Sequence, residues 1–204
     1  MILFWPQNVF PVDVSKFDIK GIKLGDNYFE IANKIPCNNP EIKKHYVDDN
    51  SKYVYNTRFK CNYKKNGFFY FAFWNDKKVS EIEKVFWFQD VQPDHEQMIK
   101  KIISKYGKPT VSGKSIQVKG KEKSFKMCWG DCESYSQKNN RYWDGRAIHP
   151  GDNEKSLLIE LSTGRAIETI LILSLKDPVA IEKGEKWREK MELEIKKQKS
   201  NIDF

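Results

Sequence analysis

The sequence predicts an α+β fold of tandem helix-plus-antiparallel-meander units, helices packed on sheet, closing with an amphipathic C-terminal helix. Two observations predict it. Tyr53, Tyr55, Thr57, Phe59, Cys61 and Tyr63 alternate with Val54, Asn56, Arg58, Lys60 and Asn62, the period-2 pattern of a strand with one buried face. The pattern of a one-sided helix leading into strands then occurs twice, and short turns, not helical crossovers, separate the strands.

In order, Ile22–Leu24 reads as a short strand and Asp26 as an N-cap. Tyr28, Ile31, Ala32 and Ile35 then line one face of a helix over 27–35, which Pro36 ends. The strand at 53–63 is followed by the turn pair Asn66-Gly67 and by a central strand at 68–74, apolar on both faces. Asn75-Asp76 turns the chain into a third strand over 79–88. Asp94 with Gln97 resembles a capping box for a helix over 94–106, whose stripe is Met98, Ile99, Ile102, Ile103 and Tyr106. Gly107 and Pro109 end it. Strands are expected at 115–118, 124–129, 156–161 and 166–173. Asp177-Pro178 starts a last helix to about 198, with Ala180, Gly184, Trp187, Met191 and Ile195 on one stripe. The expected division is 1–92 for the first unit and 93–204 for the second, within one compact domain or two small ones.

Residues 130–155 stand apart. They hold almost no aliphatic side chain but contain Tyr135, Arg141, Tyr142, Trp143, Arg146 and His149. A structureless loop of that length is uncommon in a compact domain and is either functional or a plain insertion, and Trp, Tyr and Arg are the anchors of binding interfaces. Arg141, Tyr142, Trp143 and Arg146 are therefore expected on an exposed loop, with Lys119, Lys121 and Lys123 nearby.

The chain of 204 residues carries 36 Lys and Arg against 28 Asp and Glu, a net +8. Lys100 to Lys126 holds nine lysines and only Glu122, so this segment accounts for the whole excess. It could meet nucleic acid or another polyanion, or be a solvated helix face followed by a lysine-guarded strand edge. Aromatic residues at 14% exclude a disordered chain, and 31% charged residues exclude a membrane bundle. Met1–Trp5 is apolar, but Pro6 and Gln7 stop the run short of a signal-peptide core.

Cys37, Cys61, Cys128 and Cys132 do not form the two tight pairs of a zinc ribbon. Cys128 and Cys132 frame Cys-Trp-Gly-Asp-Cys, short enough to fold back into a disulfide in an oxidising compartment. Of the possible pairings, 37–61 with 128–132 is the most local; four reduced thiols are the cytosolic alternative. His45, His95 and His149 form no metal spacing, and no GxSxG, Walker A or GxGxxG occurs. Asp48-Asp49 and Glu81/Glu83 are carboxylate pairs without a nucleophile beside them. The residues predict no enzyme and no cofactor.

Phe17-Asp-Ile-Lys-Gly21-Ile-Lys-Leu-Gly25 ahead of a short helix, then Ile103-Ser-Lys-Tyr-Gly-Lys-Pro109 ahead of a Trp-Gly strand end, resembles uncharacterised secreted proteobacterial proteins. These in turn resemble the helix-plus-meander modules of SmpA/OmlA-type outer-membrane-assembly lipoproteins and of β-lactamase-inhibitor-type proteins. The resemblance implies non-catalytic protein binding from a sheet face or long loop in a bacterial envelope or secreted setting. A cytoplasmic inhibitor or immunity-type protein, and a nucleic-acid binder using 100–126, are the alternative expectations.

Overall fold

The computed structural model describes residues 12–27, 30–31, 40–45, 56–62, 67–74, 76–88, 93–117, 123–136, 143–163 and 169–200. Within these, 40–45, 56–59, 61, 115–117, 143, 144 and 200 are described in backbone alone.

Strands β1 (Pro40–His45), β2 (Asn56–Asn62), β3 (Gly67–Phe73) and β4 (Val79–Phe88) precede helix α1 (His95–Tyr106). Then come β5 (Val111–Gln117), β6 (Lys123–Gly130), β7 (Cys132–Ser136), β8 (Trp143–Pro150), β9 (Ser156–Thr163), β10 (Thr169–Lys176) and helix α2 (Pro178–Ser200). The strands form one antiparallel sheet in the order β1-β2-β3-β4-β10-β9-β6-β5-β8-β7. The expected fold class is therefore present, and a single sheet spans both halves of the chain. The first half is a simple meander. The second inserts β10 against β4 in eight consecutive pairs, Thr169↔Phe88 to Lys176↔Glu81.

Register makes the core. Phe71, Ile82, Leu175, Leu157 and Trp129 are successive partners across β3, β4, β10, β9 and β6, and each is 0% exposed. The next rung runs Phe69, Lys84, Leu173, Ile159, Met127. Its one charge, half-buried Lys84, has its Nζ 5.9 Å from the centre of the Phe69 ring. Directly opposed apolar side chains on one face are the unit of sheet stabilisation, so these rungs fix the register of five strands together.

α1 covers this inner face with Ile99, Ile102 and Tyr106. Asp94 caps it by accepting from the Glu96 and Gln97 N–H groups, and Gly107, at φ 79°, ends it. The Tyr106 ring lies between Phe17 and Trp129, with centroids at 5.2 and 5.9 Å. Two hydrogen bonds orient the group: Trp129 Nε1 donates to the Gly107 carbonyl (3.1 Å) and Tyr106 Oη to the Asp18 carbonyl (3.0 Å). Burial pushes the Asp18 carboxyl upward, but the Gly21 N–H and Lys105 outweigh it and hold the group below its ordinary value.

α2 contributes nothing to that inner cluster. Asp177 caps it through the Ala180 N–H (3.0 Å), and the Asp177 N–H donates to the Ser80 carbonyl (2.9 Å) at the start of β4. The expected stripe faces the protein: Gly184 is buried, and Ala180, Trp187, Met191 and Ile195 are half-buried. A Cβ on Gly184 would overlap the Trp74 indole.

Three expectations change. The segment 130–155 is not a structureless loop, because β7 and β8 form an antiparallel hairpin inside it, Cys132↔Pro150 to Ser136↔Arg146. Among the hairpin residues whose side chains are described, Ala147 and Ile148 alone are buried, so the segment carries no strand-like apolar alternation. β1 is an additional strand after Pro36, and β5 starts at Val111 instead of 115. Of the helix expected at 27–35, Glu30 and Ile31 are helical and most of the remainder lies outside the described residues.

Gly184→Ala tests the α2 contact by its sign. On an exposed helix face it would stabilise by about 1 kcal/mol. Against Trp74 it is expected to destabilise by about 1–3 kcal/mol in urea unfolding, as overpacking does. A stabilised variant would contradict the packing.

Candidate functional site

The site starts from a mismatch between chain and sheet. Asp131 alone separates β6 from β7, yet β5 and β8 stand between those strands in the sheet. Laid flat, three strand spacings would separate them by roughly 14 Å. The strands must therefore roll, bringing β7 back over β6. Gly130 makes the reversal at φ 83°. Cys128 and Cys132 close it as a disulfide, with Cα atoms 6.0 Å apart. Cys128 is fully buried on the outer face, on the rung Tyr70, Glu83, Ser174, Leu158, Cys128.

Asp131 organises the junction. Its Oδ2 accepts from the Asn153 and Glu154 N–H groups (2.9 and 3.1 Å), and its carbonyl accepts from Gly151 N–H (2.9 Å). A cleft of about 1340 Å³ lies beside it, between the 3-10 turn Val14–Lys16, residues 108–110, residues 153–155 and the start of α2. Several charged groups of the cleft are engaged within the fold: Lys155 pairs with Asp177 at 3.4 Å, and Asp13 caps the 3-10 turn.

The rolled hairpin has two faces. Cys132, Ile148 and Arg146 turn toward the sheet; the Arg146 stem lies where a Cβ of Gly113 would stand, so only glycine fits there in β5. Glu133, Tyr135 and His149 turn to solvent. Tyr135 is 54% exposed and stacks on His149, ring centres 5.7 Å apart and planes at 17°. Tyr135 Oη stands 3.5 Å from His149 Nε2, and Glu133 is the direct cross-strand partner of His149. Among the described residues, no group of three or more His, Cys, Asp or Glu could hold a metal ion, and no helix is long and apolar enough to cross a membrane.

Of the expected binding residues, Arg146 is exposed on β8 and Lys123 is exposed at the start of β6. Trp143 lies on the β8 backbone. Ile116 pairs with Lys123 on one side and Asp144 on the other, and Gln117 pairs with Trp143, so Lys123 and Trp143 flank the same end of β5. Arg141, Tyr142, Lys119 and Lys121, together with the Trp143 side chain, lie outside the described residues, as do Cys37 and the Cys61 side chain. Sequence reasoning named Tyr135 and His149 as loop residues without joining them to Glu133. Their shared face follows only from the β7–β8 register, which polar strands do not announce.

The outer face also holds a carboxylate pair. Lys176 reaches Glu81 at 2.9 Å. Glu83 is half-buried; burial, then repulsion from Glu81, raises its carboxyl above the ordinary range, with Lys176 opposing. No protein-family model, no curated protein and no solved structure matches this chain.

A raised carboxyl takes up protons more readily folded than unfolded. Glu83 therefore costs stability as pH rises through the interval between its unfolded and folded values, and the full cost stands at neutral pH. Glu83→Gln is expected to be more stable than the parent at about pH 7 and equal to it near pH 4. Urea titrations at both pH values check this; equal stability at both contradicts it.

Proposed function

We propose that this chain is a non-catalytic protein-binding protein of an oxidising compartment, periplasmic or secreted, and that hairpin β7–β8 is its binding element. One observation carries the reading: a covalently closed hairpin lies over the sheet and presents a stacked Tyr135–His149 pair with Glu133 beside it and Arg146 at its border. Such an arrangement supports binding because ordered aromatic rings offer contact area at little entropic cost. The Cys128–Cys132 bond supports the compartment, since disulfides persist where the surroundings are oxidising. Trp143 continues β8 beyond Gly145, and Arg141 and Tyr142 precede it in sequence as further candidates with Lys119 and Lys121; Lys123, on the side of β6 that carries Met127 and Trp129, faces away from the hairpin. An inhibitor that acts by occluding a toxin or enzyme would use the same surface from the cytoplasm.

The nucleic-acid alternative draws less support. Lys100, Lys101 and Lys105 are on α1, whereas Lys114, Lys123 and Lys126 are on β5 and β6. Lys105 and Lys126 already pair with Asp18 and Glu160. A phosphate-tracking face needs its cations on one continuous stripe.

Affinity capture from an envelope extract of the native host, with the full chain immobilised, tests the proposal. Tyr135→Ala and Arg146→Ala are expected to weaken capture of the same partner by tenfold or more each, since truncating an interface anchor costs about 2 kcal/mol. Raising salt from about 50 to about 200 mM should change capture little. Unaltered capture by both variants, or a collapse of binding with salt, contradicts it.

A further inference from the structure

We infer that Cys128–Cys132 is a redox clasp: a dithiol reductant opens it and frees hairpin β7–β8 from the outer face while the rest of the sheet stays formed. Besides the Arg146 stem packed over Gly113, the hairpin is held at two places. Near its own turn, β8 pairs with β5 through Gly145, Asp144 and Trp143, opposite Ser115, Ile116 and Gln117. Beyond Gly145 no ladder pair ties residues 146–150 to β5, and β7 hydrogen-bonds to β8 alone among the described strands. At that end the disulfide fixes how the hairpin lies.

The Asp131 link remains when the disulfide is cut, but a backbone tether sets distance and leaves orientation free. Gly145, at φ 125°, marks where the regular β5–β8 ladder ends and gives the hairpin a bend there, with the Arg146 stem still lying over Gly113. Between that bend and the clasp lies Ile148 (0% exposed), the apolar residue that the closed hairpin turns toward the sheet; Ala147, the partner of Tyr135, is on the other face. One buried apolar side chain is a weak hold compared with the rungs across the sheet centre, so the hairpin is a unit that opens by itself.

The chemistry is ordinary thiol–disulfide exchange. Cys132 is half-buried and Cys128 fully buried, so the incoming thiolate attacks Cys132 Sγ. The Sγ–Sγ bond breaks, Cys128 leaves as a thiolate and takes a proton, and a mixed disulfide joins Cys132 to the reductant. The second thiol of the reductant displaces Cys132, so two electrons reach the protein, both cysteines end as thiols and the reductant ends as its own disulfide. Because Cys128 stays beside Cys132 after the first step and can re-form the bond, a monothiol exchanges poorly and the dithiol's second, intramolecular step drives the opening.

Hydrogen exchange of the full chain, read by mass spectrometry, tests the clasp without any binding partner. The oxidised protein is compared with the same protein in dithiothreitol and with Cys128→Ala/Cys132→Ala. In both reduced and substituted forms, amides of 132–136 and 146–150 are expected to lose about tenfold or more of their protection. Amides of β3, β4, β9 and β10 should keep theirs. The double variant isolates this bond from Cys37 and Cys61, which dithiothreitol also reaches. Unchanged protection in the hairpin would overturn the inference, because the β5 ladder and the Asp131 link would then suffice. A loss spread evenly over the sheet, or a double variant that does not fold, would overturn it too, since the bond would be a staple of the whole fold.

Discussion

A single residue joins two strands that are separated by two others, and much of the second half of the molecule follows from that constraint. Asp131 is too short to cross a flat sheet from β6 to β7, so β6, β5, β8 and β7 roll. Gly130 supplies the left-handed backbone that the reversal requires, and Asp131 spends its carboxylate and carbonyl on residues 151–154, which holds the two ends of the hairpin region together. The disulfide spans the roll where no strand ladder does. Arg146 then lies across β5, in the space that a glycine at position 113 leaves.

The roll stands on a far more apolar foundation. Two rungs of opposed side chains cross five strands, and the more deeply buried one ends at Trp129. Trp129 belongs to both parts: its ring closes the inner rung beneath Tyr106 and α1, while its neighbour Cys128 points to the outer face and anchors the hairpin. The alternation of one strand therefore couples inner packing to outer display. Removing Trp129 would disturb both faces, whereas changes to Tyr135 or Glu133, which touch only the solvent side, should leave the core alone. That separation is what allows a binding surface to vary without loss of the fold.

Much of this architecture was legible in the sequence where apolar periodicity was strong. The stripe of α2, that of α1 apart from the exposed Ile103, and the central strand β3 come directly from residues whose burial dominates their placement, such as Tyr106, Gly184 and Phe71. The caps at Asp94 and Asp177 were equally plain, because few residues can satisfy the free N–H groups of a helix start. Strands β7 and β8 were not legible. Their side chains are Glu133, Ser134, Tyr135, Ser136, Arg146 and His149 around two apolar positions, so no buried face writes an alternating pattern. The joining of the two halves through β4 and β10 was hidden for another reason: long-range strand pairing leaves no local signal. The candidate surface was half legible. Composition marked the right segment, and register then chose which of its residues share a face.

The central claim is that β7 folds back onto β6 and is closed there by Cys128 and Cys132. Disulfide mapping of the oxidised, never-reduced protein tests it most directly. A protease that cuts on the N-terminal side of aspartate cleaves between Gly130 and Asp131, which places the two cysteines on separate peptides. The account predicts that these peptides stay joined until reductant is added and then separate, with neither cysteine open to alkylation beforehand. A free, alkylated Cys128 or Cys132, or either one joined to Cys37 or Cys61, would contradict it.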